Sequence, residues 1–207
     1  LGNQSDLQYH TVLIIQLTSF VMQTRSKSGG SRPSKTIAKP TPNRSKMVDK
    51  SKVQAKSTPK LSCGDKLPDL LVIDDGGAER SAAGLAESGP IIIFLYPKAD
   101  TPGCTKQACS YRDYADQWKE AGFQIYGLSA DPPAAQANWK AKHNLGYTLL
   151  SDEKRVLISA LGLAKTGSST RRSHVIVDQG GIIRELVADV KPLESAKKAL
   201  STITIQQ

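Results

Sequence analysis

Ile91-Ile-Ile-Phe-Leu-Tyr96, running on through Pro97-Lys-Ala-Asp-Thr101-Pro-Gly-Cys104-Thr-Lys-Gln-Ala-Cys109, is the stretch on which the fold of this chain turns. The first six residues are apolar and rich in β-branched side chains. Gly89-Pro90 and Pro97 bound them, so they predict a short, fully buried strand. Beyond them, Ala108, Tyr111, Ala115, Trp118 and Ala121 recur at three- and four-residue steps, with Lys106, Arg112, Asp116 and Lys119 between them and Gly122 as a stop. That pattern predicts a helix over residues 105–121. Cys104 then falls in its first turn, where free backbone N–H groups and the positive end of the helix dipole favour an anion. The thiolate is the nucleophilic form of cysteine, so this is where a thiol becomes reactive. Thr101 is placed to cap the helix or to aim its hydroxyl at the sulfur. Pro97 and Pro102 lack an N–H and fix φ, which stiffens the connection.

The same passage carries a second thiol. In an intact helix, residues five apart are displaced by about 7.5 Å along the axis and their Cα atoms lie about 8 to 9 Å apart. A disulfide needs Cα atoms within about 7 Å. Bonding between Cys104 and Cys109 therefore requires the first turns of the helix to unwind; the alternative is that Cys109 is a small buried apolar residue. The third cysteine, Cys63, reads as an incidental thiol. With three cysteines, no C-x-x-C pair and no repeated Cys/His pairs, dithiol exchange of the thioredoxin type and zinc binding have no sequence support. The low, odd count fits a reducing compartment.

Around this passage, strands and helices alternate. Residues 71–74, 124–130 and 147–150 predict strands, and 132–143 and 153–161 predict helices, the latter with Ser151-Asp152 as cap. Residues 174–178 and 182–188 predict two strands joined by Gln179-Gly180-Gly181, a hairpin signal, and 192–202 a closing helix. Such an order predicts an α/β domain of thioredoxin-like type over residues 61–207, a central mixed β-sheet flanked by helices.

Residues 1–60 are different in kind. They hold eleven Lys or Arg against Asp6 and Asp49, while the rest of the chain is balanced at seventeen basic and seventeen acidic residues. The whole excess of +9 lies in this extension. From Gln23 to Lys60 it is rich in Ser, Thr, Pro and Lys and too poor in apolar residues to form a core, which predicts disorder. Clusters such as Arg44-Ser-Lys46 and Lys50-Ser-Lys52 suit a nuclear address, the preferred reading, or a weak, non-specific nucleic-acid contact. There is no aromatic platform for stacking bases. An organelle transit peptide, with a cytoplasmic or organelle location, and an inert linker are the alternatives. Val12 to Met22 is apolar but too short to span a membrane, so no membrane partner is expected. The chain starts at Leu1, and Met22 or Met47 is a candidate initiator.

The motifs together resemble the peroxiredoxins. Pro97-x-x-x-Thr101-x-x-Cys104 is similar to their active-site signature, and Pro102-Gly-Cys104-Thr with Cys109 five residues on resembles the peroxiredoxin Q or bacterioferritin comigratory protein subgroup. Phe94-Leu-Tyr-Pro-Lys98, Tyr147-Thr-Leu-Leu-Ser-Asp-Glu153 and Arg172-Ser-His-Val-Ile-Val-Asp178 extend the likeness over residues 61–200. The basic extension and Arg172-Ser-His174 look similar to fungal nuclear thiol peroxidases. The resemblance implies that Cys104 is the peroxidatic cysteine, oxidised by a hydroperoxide to a sulfenic acid. It implies that Thr101 hydrogen-bonds peroxide and thiolate, that Arg172 holds the thiolate and polarises the peroxide, and that Pro97 shields the sulfur. Arg172 is chosen over Arg171 because it lies six residues before Asp178, and alternation along a strand points the two apart. His174 reads as a structural residue of the strand. The resemblance further implies that Cys109 resolves Cys104 through local unwinding, that a thioredoxin is the reductant, that no metal, haem or other cofactor is needed, and that the protein is a monomer. The alternatives are a one-cysteine peroxidase resolved by an external thiol, and a chromatin-associated redox sensor tethered by the basic extension.

Overall fold

A computed structural model describes residues 60–204. The extension read over residues 1–60 lies, apart from Lys60, outside the described residues, and so do Val12–Met22 and both candidate initiators. The described chain forms seven strands, β1 (Leu71–Asp74), β2 (Glu79–Ser81), β3 (Ile91–Leu95), β4 (Gln124–Ser129), β5 (Thr148–Ser151), β6 (Ser173–Val177) and β7 (Ile183–Ala188). Five α-helices accompany them: α1 (Pro102–Asp113), α2 (Ala115–Glu120), α3 (Pro133–His143), α4 (Val156–Ala160) and α5 (Ser195–Thr204).

The strands make one mixed sheet in the order β2-β1-β5-β4-β3-β6-β7. The central trio β5-β4-β3 is parallel, while β1, β6 and β7 join antiparallel. Every residue of β3 is buried, as a strand covered on both faces requires. Its period-two alternation divides the core. Ile92, Phe94 and Tyr96 face a cluster with Cys104, Ala108, Tyr111, Trp118, Trp139 and Leu200. Ile91, Ile93 and Leu95 face the other cluster, with Leu85, Leu157, Ile158 and Val175. Gly127 on β4 is needed for the first packing: a Cβ there would come within 2.6 Å of Leu149 and 2.8 Å of the Phe94 ring.

Several expectations change. The helix read over residues 105–121 begins earlier, at Pro102, because proline suits the first helical position, and the carbonyl of Thr101 accepts the Thr105 N–H at 2.8 Å. It also breaks at Tyr114, whose φ of −102° and ψ of 12° separate α1 from α2. Trp118 still stacks on Tyr111, with ring centroids 6.0 Å apart, so the apolar period continues through the break. The helix expected from residue 153 starts at Val156. Asp152 does cap it, accepting from the N–H groups of Val156 at 2.9 Å and Ile158 at 2.8 Å, but Arg155 intervenes with a left-handed φ of 56°. The closing helix starts at Ser195 rather than Pro192. Strand β2 and the 3-10 turn at Ala83–Ala86 had no counterpart in the sequence reading.

Candidate active site

The loop from β3 to α1 is fixed at both sides. Asp131 accepts the Ala99 N–H at 2.7 Å and the Ser129 hydroxyl at 2.8 Å, tying the loop to the end of β4. Asp100 takes a left-handed φ of 54° and is held by Lys142 at 2.8 Å and His143 at 3.3 Å from the end of α3. Those contacts keep the carboxyl of Asp100 below its ordinary range, through hydrogen bonds from Lys142 and then His143. The chain thus arrives at Pro102 with the direction of α1 already set.

Cys104 is the third residue of α1 and is only 1% exposed. Arg172, on the residue before β6, reaches across to it: Nη2 lies 3.4 Å from Sγ. Nη1 of the same guanidinium donates to Gln107 Oε1 at 2.6 Å and to the Gly103 carbonyl at 3.3 Å. This fork spans one turn of α1 and sets the charge against the sulfur, a fixed geometry that a lysine would not reproduce. The approach depends on Gly103, where a Cβ would lie 3.3 Å from Arg172 Nη2. Arg171 points elsewhere and pairs with Asp189.

Thr101 holds the N-cap position of α1 by its backbone, yet its side chain caps nothing. Its hydroxyl donates to the Lys98 carbonyl at 2.9 Å, neither to the helix nor to the sulfur. The acceptor it uses belongs to the loop's own turn. Pro97 is half-buried between β3 and this turn. Cys109 lies about one and a half turns along the intact α1, partly buried, beside a groove lined with Lys106, Tyr114 and Leu193. All three cysteines are free thiols, and Cys63 is exposed.

Under α1, three polar side chains, Trp139, Tyr147 and Ser195, grip its buried face. Trp139 Nε1 donates to Thr105 Oγ1 at 3.2 Å and the Tyr147 hydroxyl donates to the Ala108 carbonyl at 2.8 Å. Gln107 Nε2 donates to Ser195 Oγ at 3.2 Å. His174 is wholly buried on β6 with its Nδ1 3.5 Å from Ser195 Oγ. Burial, with a smaller push from Lys198, lowers its pKa to about 4, so the ring is neutral at pH 7. Gln107 and Ser195 were missed by sequence reading. Gln107 left a signal, a polar residue one turn after Cys104 on the same helix face. Ser195, distant in sequence, left none.

A buried sulfur in the first turn of a helix, faced by a guanidinium, is the arrangement to which the family comparison speaks. Residues 63–186 match the AhpC/TSA family. The chain belongs to that family. It is a peroxiredoxin, a peroxide-reducing thiol enzyme with a thioredoxin-like fold. Peroxiredoxin bcp1 of Schizosaccharomyces pombe is 39% identical over 148 residues, covering 70% of this chain and 75% of that one. The chloroplastic peroxiredoxin Q of Oryza sativa subsp. japonica is 33% identical over 127 residues, covering 60% of this chain and 58% of that protein. Among solved structures, peroxidoxin BcpB of Mycobacterium tuberculosis superimposes with a TM-score of 0.66 at 30% identity, over 70% of this chain and 97% of that one.

Proposed function

We propose that this peroxiredoxin reduces hydrogen peroxide and small organic hydroperoxides at Cys104, resolves the product with Cys109 and is regenerated by a thioredoxin. The observation that carries the reading is the 3.4 Å contact of Arg172 Nη2 with Cys104 Sγ in a buried first helical turn. The sulfur anion attacks one peroxide oxygen and the O–O bond breaks. The sulfur keeps that oxygen as a sulfenic acid, and the other oxygen leaves as an alkoxide or hydroxide that takes up a proton. Arg172 complements both the attacking sulfur and the charge growing on the leaving oxygen. Thr101 hydrogen-bonds the peroxide after turning its hydroxyl away from Lys98, and Pro97 shields the sulfur. The Cys109 thiolate then attacks the sulfenic sulfur, the S–O bond breaks, the departing hydroxide takes up the proton lost by Cys109 and leaves as water, and a disulfide forms within one monomer. A thioredoxin dithiol supplies the two electrons and two protons that restore both thiols.

In the intact α1 the two cysteines are about 8 to 9 Å apart at Cα, so the second step includes unwinding of residues between them. The test is thioredoxin-coupled peroxide consumption by the wild type and by Cys104→Ser and Cys109→Ser. Loss of all turnover in the first variant, and of thioredoxin-supported cycling after one turnover in the second, is the expected result. Sustained cycling of Cys109→Ser with thioredoxin would leave a one-cysteine mechanism. The basic residues of the extension support nuclear import as its role. A fluorescent fusion that stays nuclear without residues 1–60 would overturn that role.

A further inference from the structure

Behind the reactive sulfur, one hydroxyl gathers side chains from α1, β6 and α5. Ser195, the first residue of α5, is fully buried. Its Oγ accepts from Gln107 Nε2 at 3.2 Å, lies 2.9 Å from the Tyr111 hydroxyl and 3.5 Å from His174 Nδ1. A serine hydroxyl has one hydrogen and two lone pairs. With Gln107 on one lone pair, all three places are filled when Tyr111 donates to the other and Ser195 passes its hydrogen to the neutral imidazole. Removing the hydroxyl would strand a buried amide N–H and a buried phenol at once, and buried donors without partners are costly.

Gln107 makes this cluster matter to the sulfur. Its amide nitrogen is held by Ser195, while its amide oxygen is held by Arg172, which also touches Cys104. Gln107 stands between Cys104 and Cys109, inside the segment that must unwind for the two to meet. Tyr111 lies one turn further on the same buried face. Opening this segment therefore means withdrawing Gln107 from both partners.

We propose that Ser195 is the clasp of α1, a positioning residue whose hydroxyl holds the Cys104–Cys109 segment helical against α5 and sets how readily it opens for disulfide closure. The inference rests on the intramolecular disulfide proposed above, but its primary test reads the reduced protein, in which no disulfide forms.

The experiment is amide hydrogen exchange on the reduced full chain, wild type against Ser195→Ala. Amides of residues 104–111 are expected to exchange about tenfold faster, with β3 and β4 unchanged. Gln107→Met, close in shape but unable to bond either partner, is to give the same local change should Ser195→Ala fold poorly. The double variant is to add little beyond the larger single effect, because both cut one linkage. Stopped-flow measurement after one equivalent of peroxide is to show closure of the disulfide several-fold faster in Ser195→Ala. Exchange over 104–111 that matches the wild type, or that rises equally in β3 and β4, overturns the clasp, as does an unchanged closure rate. Failure of the two-cysteine cycle would appear separately, as thioredoxin-supported turnover in Cys109→Ser.

Discussion

Cys104 and Cys109 stand on one helix, five residues apart, in opposite chemical settings. Cys104 is sealed from solvent, with a guanidinium 3.4 Å from its sulfur and the first turn of α1 behind it. Cys109 is only partly buried beside a groove, and the hydrogen bonds of Arg172 among the described residues go to Gly103, Gln107 and Cys104 instead. The same amino acid on the same element is given two settings by its surroundings, and the proposed function assigns the first to a small oxidant and the second to another sulfur. The two arginines preceding β6 repeat the lesson. Arg172 turns inward to Cys104 and Gln107, while its neighbour Arg171 turns outward to Asp189.

The largest way to break these contrasts is to remove the inward charge. Arg172→Met should slow the first reaction of Cys104 with peroxide by about 10² to 10³, a loss comparable to deleting one preorganised donor at a developing charge. Arg171→Met, which loses a surface pair, should stay within about twofold in the same stopped-flow measurement. Equal losses in both would erase the distinction. The cysteines themselves are compared by competitive labelling of the reduced protein with a bulky maleimide and digestion. Cys109 should label about a hundredfold faster than Cys104, because Cys104 reacts only through local opening.

The neutral His174 sharpens the contrast between buried and exposed polar groups. Its folded pKa of about 4 lies below the ordinary 6.5, so the unfolded chain binds the extra proton first as pH falls. Its contribution is complete above pH 6.5 and is lost progressively between 6.5 and 4, on the order of 3 kcal/mol in all. Urea unfolding at pH 7 and pH 4.5 should show this slope in the wild type, and His174→Gln should flatten it. A smaller loss than that of Arg172→Met is expected of Gly103→Ala. Its Cβ would press on Arg172 Nη2, and about a tenfold slower peroxide reaction is expected with folding intact.

The sequence made legible whatever depended on local pattern. The apolar run of β3 and the turn signals around it identified a buried strand, and with it the position of Cys104 at a helix start. The hairpin at Gln179-Gly-Gly appeared as read, with Gly181 N–H bonded to the Asp178 carbonyl at 3.0 Å. Features set by contacts between distant segments were not legible. Strand β2 is a polar edge of three residues that pairs only through β1, so neither alternation nor apolarity marked it. The break at Tyr114 interrupts a helix whose apolar period continues unbroken. Thr101 was rightly placed at the N-cap, but its hydroxyl bonds to the Lys98 carbonyl, a partner set by the loop that precedes the helix. Arg172 was singled out by resemblance, and the contact to Cys104 is a matter of how β6 lies against α1.

The burial of Cys104 has a consequence for the order of events. A sulfur 1% exposed is a filter on molecular size. A hydroperoxide of two or a few heavy atoms needs only a small breach to arrive, whereas a reductant protein presents a whole surface that cannot enter. Under the proposed two-cysteine cycle, oxidising equivalents would be admitted at one depth and returned at another. In the cycle proposed above, the helix, by standing closed or open, decides which visitor the thiol receives, so that oxidant and reductant would not compete for the same atom at the same time.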